Sequence, residues 1–172
     1  EEHIGYISKI SQQLQDNSLY IKLEKCAFSV QSIDFLQYII SDMGIGVDPK
    51  KVESVMSWPV PTSTKALQSF LGFANFYCMF IPKYSTLVGP MLKLLKKDTK
   101  YVWNEDCQCS FEQLKTSFSS APVLMHADTT KPFIVEVDAS DFAIGGILSQ
   151  ELNDDIHPVA YYSRKLSAPE IN

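Results

Sequence analysis

The stretch PFIVEVDASDFAIGGILSQELNDDIHPVAYYSRKL, residues 132–166, decides the fold. It reads as three short strands, Pro132 to Asp138, Ala143 to Glu151 and Pro158 to Arg164. Turns at Ala139-Ser140-Asp141 and Asn153-Asp154-Asp155 separate them, which predicts an antiparallel meander. Gly145-Gly146 inside the middle strand marks a close backbone approach or a bulge rather than a phosphate loop, because no helix N-terminus follows it.

Toward the N-terminus the pattern turns helical. Asn104 stands as a cap with Glu105 and Asp106 in the first turn, where carboxylates favour the positive end of the helix dipole. Cys107, Phe111, Leu114 and Phe118 form its stripe. Leu67, Phe70, Leu71, Ala74 and Tyr77 recur at three and four and predict another helix, and Leu87 to Leu95 predicts a helix running past Pro90. Asp48-Pro49 opens the earliest of the group, since proline after an Asp cap is a strong start signal, and Val52, Val55 and Met56 are its expected buried stripe. The prolines of Trp58-Pro-Val-Pro-Thr-Ser63 halt it. Among the aromatics here, Phe76 and Phe80 included, the spacing of Phe70, Phe73 and Tyr77 favours core packing over base stacking.

The first 48 residues mix the two patterns. His3, Ile7, Ile10 and Leu14 lie on one stripe of a helix over residues 2–16. Leu19, Ile21 and Leu23 alternate with polar neighbours as a half-buried strand would. Cys26 to Val30 and Ile33 to Ile40 flank Gln31-Ser32 and predict a hairpin, with Asp42 to Gly46 as its closing turn. The expected fold class is therefore α+β.

A chain of 172 residues with 45% hydrophobic content excludes disorder as a description of the whole. Its longest apolar run, Phe76 to Ile81, is far short of the roughly 20 residues that span a bilayer. The opening Glu-Glu-His-Ile carries neither a starting Met nor a signal peptide, so the segment is expected to be excised from a longer, non-secreted protein. Cys26, Cys78, Cys107 and Cys109 lack a zinc-type spacing and read as reduced intracellular thiols.

The net charge of −5 excludes a uniformly basic nucleic-acid binder, but the charge sorts by segment. Residues 1–48 carry −4, residues 49–100 carry +6 with eight lysines, and residues 101–172 carry −7. A basic helical unit between two acidic ones fits a surface that holds a phosphate backbone through lysines. Charge alone does not separate this from solvated lysines on helix exteriors.

Eight strings in this order and spacing carry a family resemblance. They are Leu23-Glu-Lys-Cys26, Phe35-Leu-Gln-Tyr-Ile-Ile-Ser41, Asp48-Pro-Lys-Lys-Val52, Trp58-Pro-Val-Pro61, Gln68-Ser-Phe-Leu-Gly-Phe-Ala-Asn-Phe-Tyr77, Ala121-Pro-Val-Leu124, Asp138-Ala-Ser-Asp141 and Pro158-Val-Ala-Tyr-Tyr-Ser-Arg-Lys-Leu166. The chain resembles the Pol polyprotein of gypsy-class LTR retrotransposons over nearly its whole length. The resemblance implies that residues 1–48 end a reverse-transcriptase palm, with Phe35, Leu36, Gln37 and Tyr38 in a hairpin that grips the primer terminus. By the same resemblance residues 49–100 are a thumb, 101–130 a connection, and 131–172 the opening strands of a truncated RNase H-like domain. The partners implied are an RNA/DNA hybrid or primer-template duplex and the remainder of Pol. Lys50, Lys51, Lys65 and Lys83 are chosen as backbone contacts from the basic unit itself.

In this family the polymerase carboxylates sit in a Tyr-x-Asp-Asp turn, and no such pair occurs before residue 48, so that motif is expected upstream of Glu1. Asp138 matches the first catalytic, metal-binding carboxylate of RNase H; its partners are expected beyond Asn172. Two-metal phosphoryl transfer needs several carboxylates around Mg²⁺ ions about 4 Å apart, so the parent is expected to use Mg²⁺ and this fragment alone to bind none and to be inactive. Glu136 shares the strand face of Asp138 but reads as an exposed residue, and Asp141 as a turn residue.

Two departures from the family pattern stand out. Gln37 replaces a permissive glycine in the hairpin, and Cys78-Met79 replaces a basic pair, each lost base removing one phosphate contact. The competing reading is a non-catalytic, host-retained or decayed remnant that serves as an interaction module.

Overall fold

A computed structural model describes residues 2–170. The two caps expected from the sequence, Asp48 and Asn104, are formed, and the structure adds a third at Ser63. In α2 (Pro49–Met56) the Asp48 carboxylate accepts from Lys50 N at 2.9 Å, with Pro49 in the first turn. Ser63 caps α3 (Thr64–Phe76) by accepting from Ala66 N at 3.2 Å. Asn104 caps α6 (Glu105–Ser119) by accepting from Cys107 N at 3.0 Å. Each satisfies an amide that the helix itself leaves unpaired. Between α3 and α6 the chain forms a 3-10 turn at Cys78–Phe80 and two short helices, α4 (Tyr84–Leu87) and α5 (Gly89–Lys93). The single helix expected over Leu87 to Leu95 is thus broken at Val88-Gly89, where Pro90 begins a new turn instead of continuing an old one.

The stripes of α3 and α6 meet in one core. Leu67, Phe70, Ala74 and Tyr77 are fully buried, and Phe111 and Leu114 lie against them. Phe70 and Phe111 rings are 4.7 Å apart, which places the two helices side by side through their largest side chains. Of the α2 stripe, Val55 is fully buried while Met56 is about half exposed, contrary to expectation, since adjacent helical residues point about 100° apart and Val55 takes the inward direction.

The chain divides into two units, Glu1–Ile33 and Asp34–Asn172. In the first, α1 (Glu2–Asp16) forms as its periodicity requires, but no residue of it is buried. The strand expected at Leu19 to Leu23 is absent: the backbone there is irregular and ends in a 3-10 turn at Leu23–Lys25. Leu19, Ile21 and Leu23 are exposed, and alternation without a partner ladder does not make a strand. Cys26 to Val30 is likewise irregular, so the expected hairpin around Gln31-Ser32 is corrected.

The hairpins lie one element later. β1 (Ser32–Phe35), within which the division falls, β2 (Tyr38–Ser41) and β3 (Gly44–Val47) form a sheet in that order. Gly44 to Gly46, expected as turn, is strand, paired so that Ile40 faces Ile45. Gly44 has φ +134°, and a Cβ there would stand 2.1 Å from Leu124 O. Only glycine allows the approach, which brings Ile45 and Leu124 close enough to exchange two backbone hydrogen bonds of 2.8 Å. Met125 N in turn donates to Pro158 O at 2.8 Å, so this short segment joins both sheets.

The second sheet is the expected meander: β4 (Ile134–Ala139), β5 (Ala143–Leu152) and β6 (Asp155–Lys165), antiparallel throughout. Asn153 and Asp154, both at positive φ, make the tight β5–β6 turn. The bulge lies at Leu148/Ser149 rather than at Gly145-Gly146. Gln150 is fully buried at the base of β4, where its amide accepts from Asp128 N and donates to Asp128 O at 2.9 and 2.8 Å. All four cysteines are free thiols. Among the described residues no helix is long and apolar enough to cross a membrane.

Candidate nucleic-acid interface

The hairpin of β1 and β2 is built on a two-residue turn, Leu36 (φ +49°) and Gln37 (φ +72°). Two left-handed residues give the twist that matches a hairpin, a conformation in which glycine or asparagine is usual. Two hydroxyls fasten the turn to the end of α3. Tyr77 donates to Gln37 O at 3.3 Å and Tyr38 donates to Phe76 O at 3.2 Å. The Tyr38 and Phe76 rings stack, with centroids 5.0 Å apart and planes 11° from parallel. Burial, with Tyr38 and Asp48 nearby, pushes the Tyr77 phenol up to about 12. Burial likewise raises Tyr38. Phe35 and Leu36 remain exposed at the tip. Of the four hairpin residues, then, Tyr38 and the Gln37 carbonyl serve the anchor, and Phe35 and Leu36 face outward.

Lys50 and Lys51 lie in the first turn of α2, and Lys65 in the first turn of α3. Lys50 and Lys65 are exposed and Lys51 is half-buried. Each adds a cation to the end of a helix whose backbone amides already favour anions. The sequence-based choice passed over Lys93, Lys96, Lys97 and Lys100, all exposed around and beyond the end of α5; their clustering was visible in the charge count. It also passed over Phe76, whose exposed edge and stacked face become evident only once Tyr38 is in place.

Lys83 behaves differently from the other three. It sits in the left-handed conformation immediately before α4, and its Nζ is 2.7 Å from Asp138 Oδ2. The Lys83 hydrogen bond and charge hold the Asp138 carboxyl below the usual carboxylate range. Asp138 and Glu136 project from β4 into a cavity of about 260 Å³ lined also by Pro82, Gly145 and Tyr161. These residues do not suit a two-ion centre. One carboxylate already has a cation, Glu136 is its only acidic neighbour in the cavity, and the described residues contain no cluster of three metal-type donors. Asp141 lies in the β4–β5 bend, as its place between strands suggested.

Residues 103–172 match the family described as the RNase H-like domain found in reverse transcriptase. The chain is 38% identical over 172 residues to the Tf2-3 and Tf2-4 transposon polyproteins of Schizosaccharomyces pombe, covering 99% of this chain and 13% of theirs. A foamy viral protease-reverse transcriptase in complex with RNA/DNA hybrid superposes with TM-score 0.80 at 24% identity, over 99% of this chain and 23% of that one. A second, in complex with dsDNA, gives 0.81 at 23% identity, over 99% and 36%. The shared architecture is that of a reverse transcriptase with an RNase H-like sheet. Over nearly its whole length this chain is similar to one segment of these retrotransposon polyproteins, and it spans a small part of the length of the relatives it matches.

Proposed function

We propose that this segment holds a nucleic-acid duplex within a longer reverse transcriptase and RNase H polyprotein. Residues 1–48 are the end of the palm, 49–100 the thumb, 101–130 the connection and 131–172 the start of the RNase H-like domain. The observation that carries the reading is the hairpin tip tied by Tyr77 and Tyr38 to α3, on the same unit as the lysine-bearing starts of α2 and α3. A rigid tip with exposed Phe35 and Leu36 suits contact along a duplex end, and Lys50, Lys51 and Lys65 suit its phosphates without reading sequence. Asp138 is read as the first carboxylate of the RNase H centre, which Mg²⁺ completes with carboxylates from elsewhere in the polyprotein. The setting is intracellular, where the four thiols stay reduced.

A labelled RNA/DNA hybrid, titrated by fluorescence anisotropy at several salt concentrations, tests this. Affinity is expected to fall steeply with salt, and a K50E/K65E variant to shallow the log–log slope by about 2, one unit for each lost contact. Absence of binding at low salt would discard the duplex reading and favour a module that contacts other proteins.

A further inference from the structure

A second charged surface lies where α5 meets the β4–β5 turn, built from residues that serve neither the hairpin nor the starts of α2 and α3. A cavity of about 230 Å³ there is lined by Lys93 from the last turn of α5, Lys165 from the end of β6, Ser85 and Thr86 from α4, and Ser140 and Phe142 from the turn. No carboxylate lines it; Asp141, in the same turn, does not. Neither lysine is in an ion pair among the described residues, unlike Lys83, which meets Asp138. The walls are fixed. Ala143 N donates to Ser140 Oγ at 3.2 Å, Ser140 N to Ala143 O at 2.9 Å and Leu166 N to Phe142 O at 2.8 Å. On the helical side Ser85 N donates to Ser163 Oγ at 3.0 Å, which ties α4 to β6. Phe142 is nonetheless 67% exposed, so a rigid turn holds an aromatic ring largely in water. Lys96, Lys97 and Lys100 continue the positive charge beyond the cavity, against Asp98 alone.

We propose that this cavity is a second nucleic-acid contact, which seats one nucleotide of a single strand: Lys93 and Lys165 hold its phosphates and Phe142 carries its base. Lysines alone would suit any polyanion. An exposed aromatic on a rigid support beside two cations is the combination that single-strand binders use, because every base offers a π-face while the backbone needs only charge. Size decides against a duplex. About 230 Å³ is below the roughly 300 to 1,000 Å³ that encloses a drug-sized ligand, so the cavity admits a phosphate and its sugar but no paired strand. The lysines from Lys96 to Lys100 offer the neighbouring phosphates a path away from it. An acidic peptide would answer the lysines but leave the ring without a partner. The choice of nucleic acid rests on the duplex-holding reading of the same chain, although the residues are different ones.

The test is fluorescence anisotropy of the 172-residue chain with a labelled DNA strand of about 12 nucleotides, a blunt RNA/DNA hybrid, and poly-glutamate as competitor. F142A is expected to weaken strand binding about fivefold or more, while F142W, which keeps a π-face, binds as the unaltered chain does. K93Q/K165Q is expected to shallow the log–log salt slope for the strand by about 1.4, two contacts at about 0.7 each. Each variant should leave the blunt hybrid, held through Lys50 and Lys65, within about twofold of its original affinity. Unchanged strand affinity in F142A would overturn the site, as would equal losses in F142A and F142W, or equal losses on strand and hybrid. Displacement of the strand by poly-glutamate as readily as by unlabelled strand would overturn the choice of nucleic acid. The two readings separate on the unaltered chain: hybrid binding without strand binding discards this site alone, and strand binding without hybrid binding discards the duplex reading alone.

Discussion

Gln37 shows how a single residue bears a local cost for the hairpin. With φ +72° it follows Leu36 at +49°, and neither side chain is suited to the left-handed region. Its backbone carbonyl receives the Tyr77 hydroxyl, a contact that does not depend on its side chain. Gln37→Gly should therefore relieve strain while leaving the anchor intact. A left-handed penalty of about 1 to 2 kcal/mol is offset by the greater unfolded-state freedom of glycine, about 0.5 to 1 kcal/mol. The expected outcome is a net gain of about 0.5 kcal/mol in urea unfolding, and a loss of stability would count against a strained turn. The departure at this position was legible from sequence, but its reason was not: the strain depends on a turn register that the pattern alone placed elsewhere. Asp138 offers the same lesson. Its strand-end position was readable, whereas Lys83 as its partner required the loop before α4 to fold onto β5 and β6.

Elements are held together here by side chains that satisfy helix ends. Lys115, in the C-terminal half of α6, donates to Met56 O at 3.0 Å, the final carbonyl of α2, and to Trp58 O at 2.6 Å just beyond it. The same ammonium lies 4.6 Å from the centre of the Phe111 ring. Burial lowers its pKa, with Glu112 opposing. Lys115→Met keeps the stem but leaves both carbonyls without this donor, and should cost about 1 to 2 kcal/mol in chemical denaturation. An unchanged midpoint would show that water replaces the ammonium. The starts of α2 and α6 were readable because Asp48 and Asn104 act on amides two or three residues away. The closure of α2 was hidden, since the group that completes it comes from 57 to 59 residues downstream.

Over the whole molecule, several exposed carboxylates are held below their ordinary range. Asp128 is lowered chiefly by hydrogen bonds from Thr130, Asp138 by Lys83, and Glu170 by Arg164, whose guanidinium reaches both carboxylate oxygens at 2.8 and 2.9 Å. Depressed folded-state values mean that their stabilisation is complete above the unfolded carboxylate range, near about 4, and is lost as pH falls through the lower folded values. Stability should decline on acidification from about pH 4 downward, and a D128N/E170Q variant should show a shallower decline. Parallel curves for variant and unaltered chain would remove these two carboxylates from the acid response.

Residues close along the chain fixed the capped starts of α2 and α6, the apolar stripes of α3 and α6 and the β4–β6 meander, because those features depend on interactions within a few turns or between adjacent strands. The sequence by itself did not determine whether Leu19 to Leu23 becomes a strand, where the first hairpin turns, or which cation meets Asp138. Those depend on partners supplied from distant segments: a strand needs a neighbouring ladder, a tight glycine approach needs Leu124, and an ion pair needs the loop that carries the opposite charge. Tertiary structure decided them, since a contact of this kind exists only after both of its sides have been brought together.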